Sequence, residues 1–180
     1  MRILYVNAGN AGSLGLDTFL CAPPLALMYL TPTVPEHKKL LIDLKANPNI
    51  PESTIRHLIQ RYDLVAISSY TPSIKNAMWV ASMAKEYNKP VIISEIGYDS
   101  LDGTARDYFG TYRNYRYNKL GVIDLQEQSD CYQAALEVLW GKPWLKGIFW
   151  WQWSALSQQW TETPQGKPAA EILKRFYLSQ

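Results

Sequence analysis

Along this chain, short apolar runs alternate with stretches whose apolar residues recur every three or four positions. The first pattern reads as strand and the second as helix, because side chains repeat with period 2 on a pleat and 3.6 on a helix. Five strands are predicted, at Arg2–Asn7, Lys38–Leu44, Leu64–Tyr70, Pro90–Ile96 and Lys146–Trp153. LVAIS and VIIS within them are almost continuously apolar, as strands covered on both faces are. Pro23-Pro24 opens a first helix, since proline is tolerated where the amide would be unpaired anyway, and Pro32 and Pro35 stop it. Glu52–Tyr62 presents Ile55, Leu58 and Ile59 on one side, and Ser73 stands where it can cap Ile74–Tyr87, with Ala77, Met78, Ala81 and Ala84 inward. Asp124 or Ser129 starts a fourth helix with Tyr132, Ala135, Leu136 and Leu139 inward and Gly141 at its end; Pro168 opens the last, Ala169–Leu178.

Strands and helices in alternation imply βαβ units around a parallel sheet, and right-handed crossovers leave few topologies. The expectation is an α/β fold, a flavodoxin-like three-layer sandwich with a five-stranded parallel sheet of order 2-1-3-4-5, and a single domain over residues 1–180. Such a sheet binds ligands at the carboxyl ends of its strands. Chemistry is therefore sought in Asn7–Gly15, Asp43–Pro51, Ser69–Ser73, Glu95–Leu125 and Trp153–Gly166. Loop 98–125 stands out, because connections beyond about 12–15 residues are uncommon unless functional or disordered.

Composition narrows the partners. With 18 Lys+Arg against 16 Asp+Glu the net charge is +2, which predicts no nucleic-acid partner. The Tyr- and Arg-rich stretch from Tyr108 to Lys119 is then read as a cover over the sheet edge. The longest apolar run, Phe19 to Leu30, is broken by two prolines and is shorter than the ~20 residues of a spanning helix, so no membrane segment is expected. MRILYVNA has no secretory-signal pattern, which places the protein in the cytoplasm. Cys21 and Cys131, like His37 and His57, lack ligand spacing; buried thiols and no metal site follow. Gly9, Gly12 and Gly15 form GxxGxxG, closer to a flexible loop than to a phosphate cradle.

The segments APPLALMYL, PEHKKLLID and DLVAISSYTPS resemble, in this order, the cobalamin-binding N-terminal domain of B12-dependent radical-SAM enzymes, over roughly residues 1–93. By that resemblance Asn7, Gly9, Asp43, Ser69, Tyr70 and Thr71 would border the corrin or its nucleotide tail. No DxHxxG is present, so no histidine would serve as lower cobalt ligand.

From about residue 89 the likeness changes. KPVIISEIGYDSLDGTARD, DLQEQSDCYQAALEVLWGKPWLKGIFWWQW and TPQGKPAAEILKRFY resemble the last quarter of a (β/α)8 glycoside hydrolase of the β-mannanase type. The resemblance implies that Glu95 is the nucleophile at the end of barrel strand seven and that Trp150, Trp151 and Trp153 form an aromatic wall at a sugar subsite. Retaining hydrolysis also needs a second carboxyl group about 5–5.5 Å from the first, and the strand supplying it in that barrel has no counterpart here. Asp99 and Asp102 lie on a loop with no evident desolvating wall.

Two unlike halves meeting inside KPVIIS read as an engineered chimeric scaffold without a complete active site, hence not an enzyme, with Glu95 an orphan nucleophile. No cofactor would be required. The alternatives are a residual cobalamin-binding module and a weak glycoside hydrolase using Glu95. An exposed edge near Trp150–Trp153 would favour a homodimer.

Overall fold

The computed structural model describes residues 1–9, 25–69, 73–105, 121–154 and 161–179. Its strands are β1 (Arg2–Asn7), β2 (Lys38–Asp43), β3 (Leu64–Ser68), β4 (Val91–Ile96) and β5 (Leu145–Trp150). Its helices are α1 (Leu25–Leu30, followed by a 3-10 turn at Thr31–Thr33), α2 (Glu52–Arg61), α3 (Ile74–Glu86), α4 (Leu125–Leu139) and α5 (Pro168–Leu178). Each predicted element forms, with differences at the ends, such as β3 stopping at Ser68 rather than Tyr70. The last strand stops at Trp150 rather than Trp153. Helix α3 buries Ala77, Val80, Met83 and Ala84, while Met78 is exposed. Apolar residues occur on two sides of that helix, and packing against the sheet selects one stripe.

The chain divides into two compact units, Met1–Ile96 with Pro143–Phe149, and Gly97–Lys142 with Trp150–Gln180. The first unit includes Pro143–Phe149, which carries all of β5 but its last residue. The first unit holds a five-stranded parallel sheet of order β2-β1-β3-β4-β5, as the alternation of elements predicted. Four of these strands, β1, β3, β4 and β5, lie side by side in chain order, the arrangement of consecutive strands in a (β/α)8 barrel. Strand β2 is the exception and pairs outside β1.

Both faces of the sheet are covered. Leu4, Val6, Ile42, Val65, Ile67 and Val91 on one face pack with Ile55 and Ile59 of α2 and Val80 and Met83 of α3. On the other, Ile3, Tyr5, Leu64 and Ala66 pack with Leu27 of α1. Residues 3 to 6 of β1 thus alternate between two cores, which explains their near-continuous apolarity. Fully burying each such side chain is worth about 1.5–3 kcal/mol.

In the second unit α4 and α5 bury Tyr132, Leu136, Ala169 and Leu173 together, with Tyr98, Trp140 and Trp150 packed against them. The Tyr132 and Trp150 rings are 4.8 Å apart. Asp124, one of the two predicted starts, caps α4 by accepting the Glu127 amide at 2.8 Å, and Gly141 follows the helix at φ +70°. Ser73 makes no capping bond to α3; its hydroxyl lies 3.1 Å from that of Ser69. The two described ends of loop 98–125 pair with each other, through an antiparallel bridge between Leu101 and Ile123. No helix among the described residues is long and apolar enough to cross a membrane.

Candidate active site

Register brings four polar residues into one row at the carboxyl ends of the strands. Asn7 of β1 stands opposite Asp43 of β2 and Ser68 of β3, and Ser68 stands opposite Glu95 of β4. All four lie on the face of Tyr5 and Ala66, two residues before Asn7 and Ser68. Asn7 Nδ2 donates to Asp43 Oδ1 at 2.9 Å, and the same oxygen accepts the amides of Lys45 (2.9 Å) and Ala46 (3.2 Å), which forms the turn after β2. Glu95 is hydrogen-bonded to the Ser68 side chain. Burial pushes its carboxyl above the usual range, and the Ser68 bond, which favours the charged form, offsets part of that rise.

Gly9 is required by the chain that crosses it. At φ +59° its missing Cβ would sit 2.6 Å from the Lys45 amide nitrogen and 2.8 Å from the Leu44 carbonyl carbon. That space is filled by backbone rather than open to a nucleotide tail. Asn76 of α3 fastens the same turn by donating to the Ala8 carbonyl at 3.0 Å. Ser69 is buried next to Ser73. Tyr70 and Thr71, like Gly12, Gly15 and the stretch from Tyr108 to Lys119, lie outside the described residues.

The second unit has a buried polar centre with no periodicity to announce it. Lys167, 4% exposed, donates to Ser100 Oγ at 2.6 Å and to the Thr161 carbonyl at 2.5 Å. Burial lowers its ammonium to about 8, against the pull of Glu162 and Asp99. Gln128 donates to the carbonyls of Tyr98 (2.8 Å), Thr161 (3.3 Å) and Glu162 (3.2 Å). Asp99 is buried, contrary to the expectation of a solvated loop position, while Asp102 is exposed. Asp102, Asp124 and Glu127 bring carboxylate oxygens within 4.8 Å of one another. Glu127 already accepts the amides of Gly103 (2.6 Å) and Ala105 (3.0 Å) and Asp124 caps α4, so two of the three carboxylates are engaged in fastening the loop to the helix. Of the three predicted wall tryptophans, Trp150 packs on Tyr132 and donates to the Tyr177 hydroxyl at 3.3 Å. Trp151 and Trp153 are exposed. Gly97 is needed beneath them, since a Cβ there would run into the Trp151 carbonyl; the Trp151–Gln152 peptide is cis.

Within the polar row the second carboxylate is Asp43, three strands from Glu95. At about 4.8 Å per strand this is roughly 14 Å of backbone separation in an open sheet, more than double the spacing retaining hydrolysis uses.

The sequence model of Glycoside Hydrolase Family 113 matches residues 42–168. No curated protein matches the chain. Among solved structures, the complex structure of a GH113 β-1,4-mannanase is similar at 22% identity with a TM-score of 0.55, covering 86% of this chain and 50% of that one. The chain thus spans half the length of that relative. A radical S-adenosylmethionine methyltransferase, TsrM, from Kitasatospora setae aligns at 14% identity and a TM-score of 0.41 over 51% of this chain and 18% of that one. An agarase aligns at 15% identity and a TM-score of 0.47 over 84% and 22%.

The family match overturns the reading of a chimeric scaffold that is not an enzyme. The family match runs without a break across residues 89–94, where the two halves were expected to join, and reaches back to β2. The apparent change of kinship has a physical source: open sandwiches and barrels repeat the same βα unit, so proline helix starts and polar strand ends recur in both. Cobalamin gains no support, and hydrolysis by a carboxyl pair needs no cofactor. With more than half of its length matched in one continuous stretch, the chain belongs to Glycoside Hydrolase Family 113.

Proposed function

We propose that this chain carries the nucleophile-bearing half of a retaining glycoside hydrolase acting on β-1,4-linked mannose chains, with Glu95 as the attacking carboxylate. The observation that carries the reading is the placement of Glu95: end of a parallel strand, desolvated, hydrogen-bonded to Ser68, in line with Asn7 and Asp43. The mannan substrate is taken from the β-1,4-mannanase of similar fold. Glu95 attacks the anomeric carbon as the leaving-group oxygen departs, and water then cleaves the glycosyl ester. The exposed Trp151 and Trp153 offer faces on which sugar rings stack.

Because Asp43, the second carboxylate of the row, stands three strands from Glu95, activated substrates are the ones to react. A 2,4-dinitrophenyl β-mannoside releases its leaving dinitrophenolate without an acid. Its cleavage, together with a mass increase on Glu95 from the 2-fluoro analogue, is expected, and Glu95→Gln abolishes both. Release that survives in Glu95→Gln removes the proposal.

Two coarser features accompany this reading. The layers of the first unit are flavodoxin-like in their covering of both faces, as a barrel arc closed by α1 on its inner side would be. Strand β5 is an edge strand with Phe149 53% exposed, which favours a homodimer through that edge. Sedimentation as a monomer at every concentration refutes the dimer.

A further inference from the structure

Strict alternation along β4 assigns Glu95 to the wrong face. Val91 packs in the core under α2 and α3, and Ile92 on the opposite side with Tyr5 and Ala66. Continued with period 2, Ile93 and Glu95 would follow Val91. The register tells otherwise: Val65, Ala66 and Ile67 pair with Val91, Ile92 and Ile93, but Ser68 pairs with Glu95, so one extra residue, Ser94, is inserted in β4 against the single step from Ile67 to Ser68. The insertion is a bulge, a device that re-aims side chains and that occurs next to active sites. Ser94 is 8% exposed, and its hydroxyl donates to the Ile67 carbonyl at 3.1 Å, on the residue of β3 where the ladder is interrupted.

We infer that Ser94 is the positioning residue for Glu95: it occupies the extra place in β4 and fastens it to Ile67 of β3, and this turns Glu95 onto the face of Ser68, Asn7 and Asp43. The catalytic meaning of the device rests on the function proposed above; its geometry does not. An unbulged strand would send the carboxylate toward the core under α2 and α3, away from the other members of the row. Asp43 is the other charged group of the row, and Asn7 holds it at 2.9 Å.

The test is a double-mutant cycle read by titrating the Glu95 carboxyl with 13C NMR, its resonance identified by its loss in Glu95→Gln. Ser68→Ala raises the midpoint, because the bond favouring the charged form is gone. Ser94→Ala raises it as well, and adding Ser68→Ala then changes nothing further, since Glu95 no longer faces Ser68. Ser94→Thr, which keeps the hydroxyl, restores the parental value. If Ser94→Ala does not fold, Ser94→Cys, of similar size and a weak donor, takes its place. A Ser68→Ala shift that persists undiminished in the Ser94 variant overturns the inference. On the dinitrophenyl mannoside, Ser94→Ala lowers kcat tenfold or more with KM little changed. A cycle that behaves as expected in a protein that cleaves no glycoside refutes the glycosidase reading and leaves the positioning device standing. Uncoupled titrations beside Glu95-dependent cleavage do the reverse.

Discussion

Replacing Lys167 by Met tests whether the buried centre of the second unit is held at an electrostatic cost. The ammonium is almost wholly removed from water and makes two hydrogen bonds, yet burial brings its pKa from the ordinary 10.5 down to about 8. A folded value below the unfolded one means that the fold favours the neutral amine. This contribution is fully present above the unfolded value and is lost as pH falls through the folded one. Between pH 7 and 9 the folded protein sheds most of this proton while the unfolded chain keeps it, which by linkage stabilises the fold by about 1.4 kcal/mol. Met preserves the apolar stem and removes the titration. The Thr161 carbonyl keeps donors in Ser100 Oγ at 2.8 Å and Gln128 Nε2 at 3.3 Å, and Ser100 Oγ keeps its own bond to that carbonyl. Urea unfolding followed by tryptophan fluorescence at pH 7, 8 and 9 gives the difference between parent and Lys167→Met. Tyr98 and Tyr132, whose hydroxyls burial raises above the ordinary range, cancel in that difference. The parent should gain about 1.4 kcal/mol on the variant from pH 7 to 9. A difference that stays flat, or moves the other way, refutes the claim that desolvation dominates at this site.

Gly9→Ala should cost about 2–4 kcal/mol in urea unfolding, because it adds left-handed strain to a clash with the Leu44–Lys45 backbone. Asp124→Ala should lose about 1 kcal/mol by removing the cap on α4, and Asp124→Asn should recover most of it. Trp151→Ala and Trp153→Ala, at exposed positions, should leave the thermal midpoint almost unchanged and weaken binding of mannooligosaccharides in calorimetry. Trp150→Ala should destabilise by about 3 kcal/mol through its lost packing on Tyr132.

Local chemistry was enough to place the helices and strands: the prolines before α1 and at the start of α5, Asp124 before α4, and the apolar periods of β1, β3 and α2 each act on their own segment. Strand order was also legible, since parallel strands joined by short right-handed crossovers have few arrangements. The glycoside hydrolase kinship was legible from the segments around SEIGY, whereas the separate ancestry read into residues 1–93 gains no support, since the family match already begins at residue 42 and the βα repeat common to both folds produces the same short patterns. What the tertiary structure decided is the facing of the site. Ser94 shifts the register by one residue, a change invisible to a period-2 pattern, and in a strand this exchanges the two faces. The buried Lys167–Ser100–Gln128 centre was equally hidden. Its partners lie dozens of residues apart, and a polar side chain shows that it is buried only when the chain has folded around it.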